Sequence, residues 1–243
     1  MPGPLKTQGV VLRSLRYGEA DRILHLYTPQ RGKMGAIAKG VRRARSRFGG
    51  RLEPFFRLDL VLHEGRSELL TVTAAETVAG YPRLREHAGA LDTAARACDA
   101  VSRLFDTSEP HPGVYNLLCN ELALLDAGAG RDGLSGHANQ LAFRLKLLLA
   151  AGLAPQLAAC ASCGEREHLS GFSGAAGGVV CPACEAGSFA LDEEAHAFLV
   201  GALGRPLAET PAAPERALRQ AERAIADTVE HHAGVRWREA VAR

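Results

Sequence analysis

The chain has 243 residues, 47% hydrophobic, 23% charged and 5% aromatic, with 29 Lys/Arg against 27 Asp/Glu for a net charge of +2. These are ordinary globular proportions with room for two or three small domains, and no apolar run approaches the roughly 20 residues that span a bilayer. No basic segment followed by an apolar one opens the chain (MPGPLKTQGVVLRS), so no secretory signal is read and the six cysteines are expected to stay reduced, in the cytoplasm.

The first 80 residues read as β structure. Val10–Tyr17, Ile23–Thr28 and Met34–Lys39 are short strand-like runs, separated by turns at Gly18–Asp21 and Pro29–Gly32. Phe55–His63 alternates apolar and polar residues, and Glu68–Ala75 follows after Glu64-Gly65-Arg66. Five such strands match the count of an OB-fold barrel, with the longest irregular stretch, Gly40–Pro54, between the third and fourth.

From about residue 81 the apolar period becomes helical, over Leu84–Phe105, Val114–Ala127 and Ala138–Leu153. Leu141–Leu149 is apolar nearly all round, as in the buried centre of a bundle. Phe189–Leu203 and Pro214–His231 resume the helical pattern, the last with one stripe of Leu218, Ala221, Ile225 and Val229. The expected class is α+β and multi-domain. It comprises a five-stranded OB-fold barrel over 1–80, a helical domain over 81–155 and 188–243, and a four-cysteine module inserted over 156–187.

That module carries the sharpest chemistry. Cys160, Cys163, Cys181 and Cys184 form C-x2-C, seventeen residues, then C-x2-C. Two residues between thiolates let one tight turn offer both sulfurs to one ion, and a second turn completes a tetrahedron, which is the pattern of a structural Zn2+ site. His168 lies between the pairs but is superfluous to a complete shell. Cys98 and Cys119, alone on helices, are expected in the core.

The net charge hides a split. Residues 1–51 carry 12 Lys/Arg against Glu19 and Asp21, a net of +10, and the remainder carries 17 basic against 25 acidic side chains, a net of −8. Arg31, Lys33, Lys39, Arg42, Arg43, Arg45, Arg47 and Arg51 include no acidic neighbour, and AKGVRRARSRFGGR reads as a mobile loop leaving a strand. Guanidinium groups without carboxylate neighbours pair with phosphates. Tyr17, Tyr27, Phe48, Phe55 and Phe56 offer aromatic rings for base stacking or for the core.

Weaker patterns take simpler readings. Gly128–Gly133 spells G-x-G-x-x-G but follows a helix, so it is a linker. Arg216, Arg219 and Arg223 face solvent beside Glu215 and Glu222, and His231-His232 suits a helix C-terminus. No H-E-x-x-H, G-x-S-x-G or Walker loop is present, and the sequence supports no enzyme activity.

GVVLRSLRYGEADRILHLYTPQRGKMGAIAKGVRRARSR, followed by RLEPFFRLDLVLHEG and LLTVTAAETV, resembles the bacterial DNA repair protein RecO family. Its most specific parts are Y-G-E-x-D at Tyr17–Asp21 and A-K-G-x-R-R at Ala38–Arg43. The resemblance runs over essentially the whole chain. It implies a nucleoid-associated recombination mediator without small-molecule turnover. Such a protein binds single- and double-stranded DNA, anneals complementary strands, and works with RecR and RecF to load RecA on DNA coated by single-strand-binding protein. On this reading Lys33, Lys39, Arg42, Arg43, Arg45, Arg47 and Arg51 hold phosphates, supported by Arg13, Arg16 and Arg22. The helical domain takes the acidic, apolar tail of single-strand-binding protein, with Arg144 and Lys146 as its contacts. Two other classes stay open: a zinc-ribbon scaffold with a basic RNA-binding arm, and a metal-dependent nuclease.

Overall fold

The structure is a computed structural model that describes residues 4–43, 45–64, 69–129 and 136–238. The chain divides at Ala129 and Gly130 into two compact units.

The first unit holds five strands: β1 (Leu5–Tyr17), β2 (Asp21–Thr28), β3 (Gly32–Ala38), β4 (Arg57–His63) and β5 (Leu70–Ala79). They close a barrel in the order β1-β2-β3-β5-β4. Four seams are antiparallel, and β3–β5 is parallel through Ala36↔Leu70 and Ile37↔Thr71. This is the OB-fold the alternation predicts. Leu24 and Leu26, Ala36 and Ala38, and Leu58, Leu60 and Leu62 fill the interior from alternate positions. A register shift between Val11 and Arg13 bends β1. β5 runs four residues past its expected end because β4 stays paired with it as far as Arg57↔Ala79. Its expected start at Glu68 lies outside the described residues.

Three helices complete this unit: α1 (Pro82–Glu86), α2 (Ala88–Leu104) and α3 (Pro112–Gly128). The single helix expected over Leu84–Phe105 is broken at His87, whose backbone is extended at φ −118 and ψ 114. Its ring nitrogen instead hydrogen-bonds the Arg83 carbonyl at 3.0 Å. Cys98 and Cys119 are buried thiols, as expected, and desolvation raises both their pKa values.

The second unit contains α4 (His137–Ala150), a small sheet of β6 (Gly171–Ser173), β7 (Gly178–Val180) and β8 (Phe189–Ala190), then α5 (Glu193–Gly204) and α6 (Glu215–Ala233). α4 is the buried element its composition predicts, with Leu141, Leu145, Leu147 and Leu148 fully enclosed. The helix expected from Phe189 starts later. Phe189 pairs with Phe172 in β6, and the Asp192 carboxylate caps α5 by accepting from the Ala195 N–H at 2.8 Å. The linker read at Gly128–Gly133 falls largely outside the described residues. Among the described residues no helix is long and apolar enough to cross a membrane.

Candidate metal centre and nucleic-acid interface

The sequence places each cysteine pair in a turn. Gly164 follows the first pair at φ 82, a conformation that suits glycine, and its N–H donates to the Cys160 carbonyl at 2.9 Å. The second pair sits in a 3-10 turn, Pro182–Cys184, where the Cys184 N–H donates to the Cys181 carbonyl at 2.9 Å. The small sheet aligns the two turns, and Gln156 bridges to β7 at Gly178. A side chain at Gly178 would strike the Gln156 carbonyl, so that approach requires glycine.

The four sulfurs all lie within 4.8 Å of one another. Thiolates bound at about 2.3 Å to one tetrahedral ion stand about 3.8 Å apart, and Cys163 Sγ lies 3.7 Å from Cys181 Sγ. The set therefore fits a four-sulfur metal ion. The Cys181 N–H donates to Cys160 Sγ at 3.4 Å and pulls that thiol down to about 6, favouring the thiolate a metal needs. Cys184 is pushed up to about 12 by its hydrogen bonds with the neighbouring Cys163 and Cys181 sulfurs. Val180, Leu169 and Ala176 pack against the cysteines. His168 is exposed and outside the cluster.

The basic residues separate into two groups. Lys33 donates to the Ser102 carbonyl of α2 at 2.8 Å. Arg22 pairs with Glu53 at 2.9 Å and reaches Ser14 Oγ at the same distance. Arg51 donates to the Ala75 carbonyl at 3.3 Å. These three have internal work. Lys39, Arg42, Arg43, Arg45, Arg47, Arg13 and Arg16 are exposed, and none forms an ion pair with a described carboxylate.

The loop bearing four of these arginines is not simply mobile. Phe48 and Leu52 sink into the barrel core at 1% exposure each, so Arg42, Arg43, Arg45 and Arg47 are displayed beside a fixed point. The Arg47 guanidinium lies over the Phe48 ring at 4.8 Å. At the other end, the Gly40 N–H donates to Asp21 Oδ1 at 2.8 Å and the Arg42 N–H to the Ala20 carbonyl at 2.9 Å. The two short motifs singled out in the sequence are thus docked on each other. Of the five aromatic residues considered for stacking, Tyr27, Phe48 and Phe55 are buried, Phe56 packs on the core beneath Arg85, and Tyr17 is 54% exposed.

In the second unit Arg144 faces inward. Its side chain is buried, pairs with Glu222 at 3.4 Å, donates to the Arg238 carbonyl and lies over Trp237. Glu222 and Glu215 also hold the buried His137 ring, at 3.2 and 3.0 Å. Glu222 is therefore a core ligand of His137, whereas Arg216 takes Asp192 and Glu194 as partners. Lys146 donates to the Leu203 and Arg205 carbonyls at 3.3 and 2.6 Å, closing the end of α5. Beside it Leu157, Ala158, Val200, Leu203 and Gly204 line an apolar hollow of about 340 Å³, which residue patterning did not reveal.

Residues 1–81 match the model of the family described as Recombination protein O N terminal, and residues 89–239 that of Recombination protein O C terminal. The chain belongs to the RecO family. It is 39% identical to the DNA repair protein RecO of Rubrobacter xylanophilus over 93% of this chain and 90% of that one. Identity to DNA repair protein RecO of Anaeromyxobacter dehalogenans is 38%, over 96% and 92% of the two chains, and to that of Bifidobacterium adolescentis 42%, over 72% of each. Membership of the RecO family makes this a DNA repair protein, and the gap between the two family models, residues 82–88, contains α1.

Proposed function

We propose that the protein is a recombination mediator that binds single- and double-stranded DNA, anneals complementary strands, and acts with RecR and RecF to load RecA on DNA coated by single-strand-binding protein. The observation that carries the DNA-binding reading is the arginine loop, whose Arg42, Arg43, Arg45 and Arg47 are exposed on an OB-fold barrel without carboxylate partners. Contacts to phosphates position a nucleic acid without reading its sequence, so base edges remain free to pair. Neutralised phosphates then let two complementary strands approach. Lys39, Arg13 and Arg16 extend the positive surface. Lys33, Arg22 and Arg51 serve the barrel and add to its positive potential without meeting phosphates themselves.

The metal is Zn2+, held by Cys160, Cys163, Cys181 and Cys184 in a closed shell, and its role is to fold the module. The tail of single-strand-binding protein is assigned to the second unit. The apolar hollow beside Lys146 supports it there, with Lys146 and not Arg144 as the cation, because Arg144 is committed inward.

The test is annealing of complementary oligonucleotides, with and without single-strand-binding protein, comparing wild type with the Arg42→Ala, Arg43→Ala, Arg45→Ala triple variant. The variant is expected to anneal poorly while keeping its fold. Equal annealing by both proteins would reject the loop as the site, and tighter binding to structured RNA than to DNA would favour an RNA-binding scaffold.

A further inference from the structure

The four sulfurs of the metal centre are unequally sheltered. Cys160 and Cys181 are buried at 2% and 5% exposure, Cys184 is half-buried, and Cys163 is exposed. A solute arriving from water therefore meets Cys163 first. Its sulfur lies 3.7 Å from Cys181 Sγ, across the gap between the two turns. Backbone hydrogen bonds set up this approach. The Ala161 N–H donates to the Val179 carbonyl at 2.8 Å and fixes the first turn to β7, which runs to Val180, one residue before Cys181. The Cys160 N–H donates to the Glu165 carbonyl at 2.6 Å, so the first turn closes around Cys163.

A thiol bound to a cation is held as thiolate whatever its own proton affinity, and an accessible thiolate is the form that reacts with peroxides. Cys98 and Cys119 are the contrast: both are buried, and burial raises their proton affinity, which leaves them as unreactive thiols. At Cys163 the sulfur attacks one oxygen of hydrogen peroxide, the O–O bond breaks, hydroxide leaves, and a sulfenic acid is formed. The Cys181 thiolate then attacks the Cys163 sulfur, an S–S bond forms, and a second hydroxide leaves. Two thiolates have lost two electrons, and one peroxide has taken them.

We infer that Cys163 is an oxidation site for hydrogen peroxide, with Cys181 as its resolving cysteine, and that the disulfide between them takes over the metal's task of tying the two turns together. The inference rests on the metal-centre reading above. Cys160 and Cys184 remain as two sulfurs, too few to close a four-ligand shell, so the ion is released. The module still keeps a link between its halves. β6 and β7 lie wholly within the loop that a Cys163–Cys181 bond closes, so the hairpin stays bounded at both ends. A bond within either C-x2-C pair would close only a tight turn and leave the halves apart. Oxidation thus exchanges the metal for a covalent staple, and a thiol reductant with Zn2+ reverses it.

Full-length, Zn2+-loaded protein is treated with hydrogen peroxide, and released metal, free thiols, non-reduced peptide masses and melting temperature are followed together. Thiols are expected to fall from six to four per chain as the ion leaves, with Cys163 and Cys181 in one cross-linked peptide. The oxidised protein is expected to melt close to the metal-loaded form and above reduced protein stripped by a chelator. Cys163→Ser and Cys184→Ser each remove one sulfur from the set, yet the cross-link is expected to persist in Cys184→Ser while Cys163→Ser keeps its thiols. A disulfide within a C-x2-C pair, melting with the stripped form, or loss of two thiols by Cys163→Ser as fast as by wild type overturns the inference. Metal-loaded protein that resists peroxide overturns the inference alone. Protein that takes up no metal before treatment overturns the metal-centre reading with it.

Discussion

Asp21 Oδ1 accepts the Gly40 N–H at 2.8 Å, tying the turn between β1 and β2 to the start of the arginine loop. Gly40 has φ 69, so the chain reverses there at a residue that tolerates it, and Arg42 follows by donating its N–H to the Ala20 carbonyl. A carboxylate close to a loop proposed to bind DNA is electrostatically unfavourable there. Its position shows what it is for, which is to aim the loop.

Aim and charge can be separated. Asp21→Ala raises the net charge by one, which on electrostatics alone strengthens DNA binding. We expect the opposite, a fall of about three- to tenfold in affinity, because an unsupported loop loses order before it binds. Asp21→Asn keeps an acceptor oxygen and retains most of the affinity. Titration of both variants against wild type decides, and tighter binding by Asp21→Ala would show that the loop needs no support.

The division of the basic residues sets a limit on salt dependence. Among the ten basic residues proposed to face DNA, Lys39, Arg42, Arg43, Arg45, Arg47, Arg13 and Arg16 are exposed and carry no described carboxylate partner. If all seven meet phosphates on a single strand, log K falls with log salt at a slope no steeper than about −5. Arg45→Ala is expected to make it shallower by about 0.7. Lys33→Ala removes the bond to the Ser102 carbonyl and is expected to lower the melting temperature while leaving the slope alone. A slope near −8 would require cations elsewhere.

Cys181→Ser removes one sulfur from the four-sulfur set and keeps the backbone N–H that donates to Cys160 Sγ. Metal content is expected to fall well below one ion per chain, with a drop in melting temperature, at a DNA affinity still close to wild type. Chelation of the wild type has the same signature. Loss of DNA binding by a folded, metal-depleted variant would give the module a direct part in the interface.

His137 provides a pH signature for the second unit. Burial lowers its proton affinity, but hydrogen bonds to Glu222 and Glu215 outweigh this and raise its pKa above the ordinary value, even with Arg144 sharing Glu222. A raised folded-state pKa adds stability that is complete below the unfolded value of about 6.5 and lost as pH rises through the folded value. The advantage in melting temperature of wild type over His137→Gln is therefore expected to be largest below about pH 6.5 and to shrink above it. An advantage that grows with pH would contradict the charged pair.

The barrel was legible because alternation at Leu58, Leu60 and Leu62 and at Leu24 and Leu26 is a local signal with a local cause. The four-cysteine cluster was legible because C-x2-C spacing specifies chemistry directly. What eluded the sequence depended on partners distant in the chain. Lys33 and Arg22 look like free cations until Ser102 and Glu53 are placed beside them, 69 and 31 residues away. Phe48 lies in an arginine-rich segment and reads as mobile, yet its ring has a place in the barrel. Arg144 looked like a polar interruption of an apolar helix because its partners, Glu222 and Arg238, lie 78 and 94 residues downstream. Leu15 could be assigned to the outer face only once the bulge between Val11 and Arg13 had reset the alternation of β1.

Among the described residues the parallel seam of the barrel rests on two residue pairs, Ala36↔Leu70 and Ile37↔Thr71, whereas the antiparallel seam β2–β3 beside it has seven. A ring of β-strands breathes where its ladder is shortest. Amide hydrogens along that edge should exchange with solvent sooner than those between β1 and β2, and mechanical pulling on the barrel should part it there first. The arginine loop spans from one side of this weak joint to β4, so any nucleic acid that grips both the loop and β3 also laces the barrel shut.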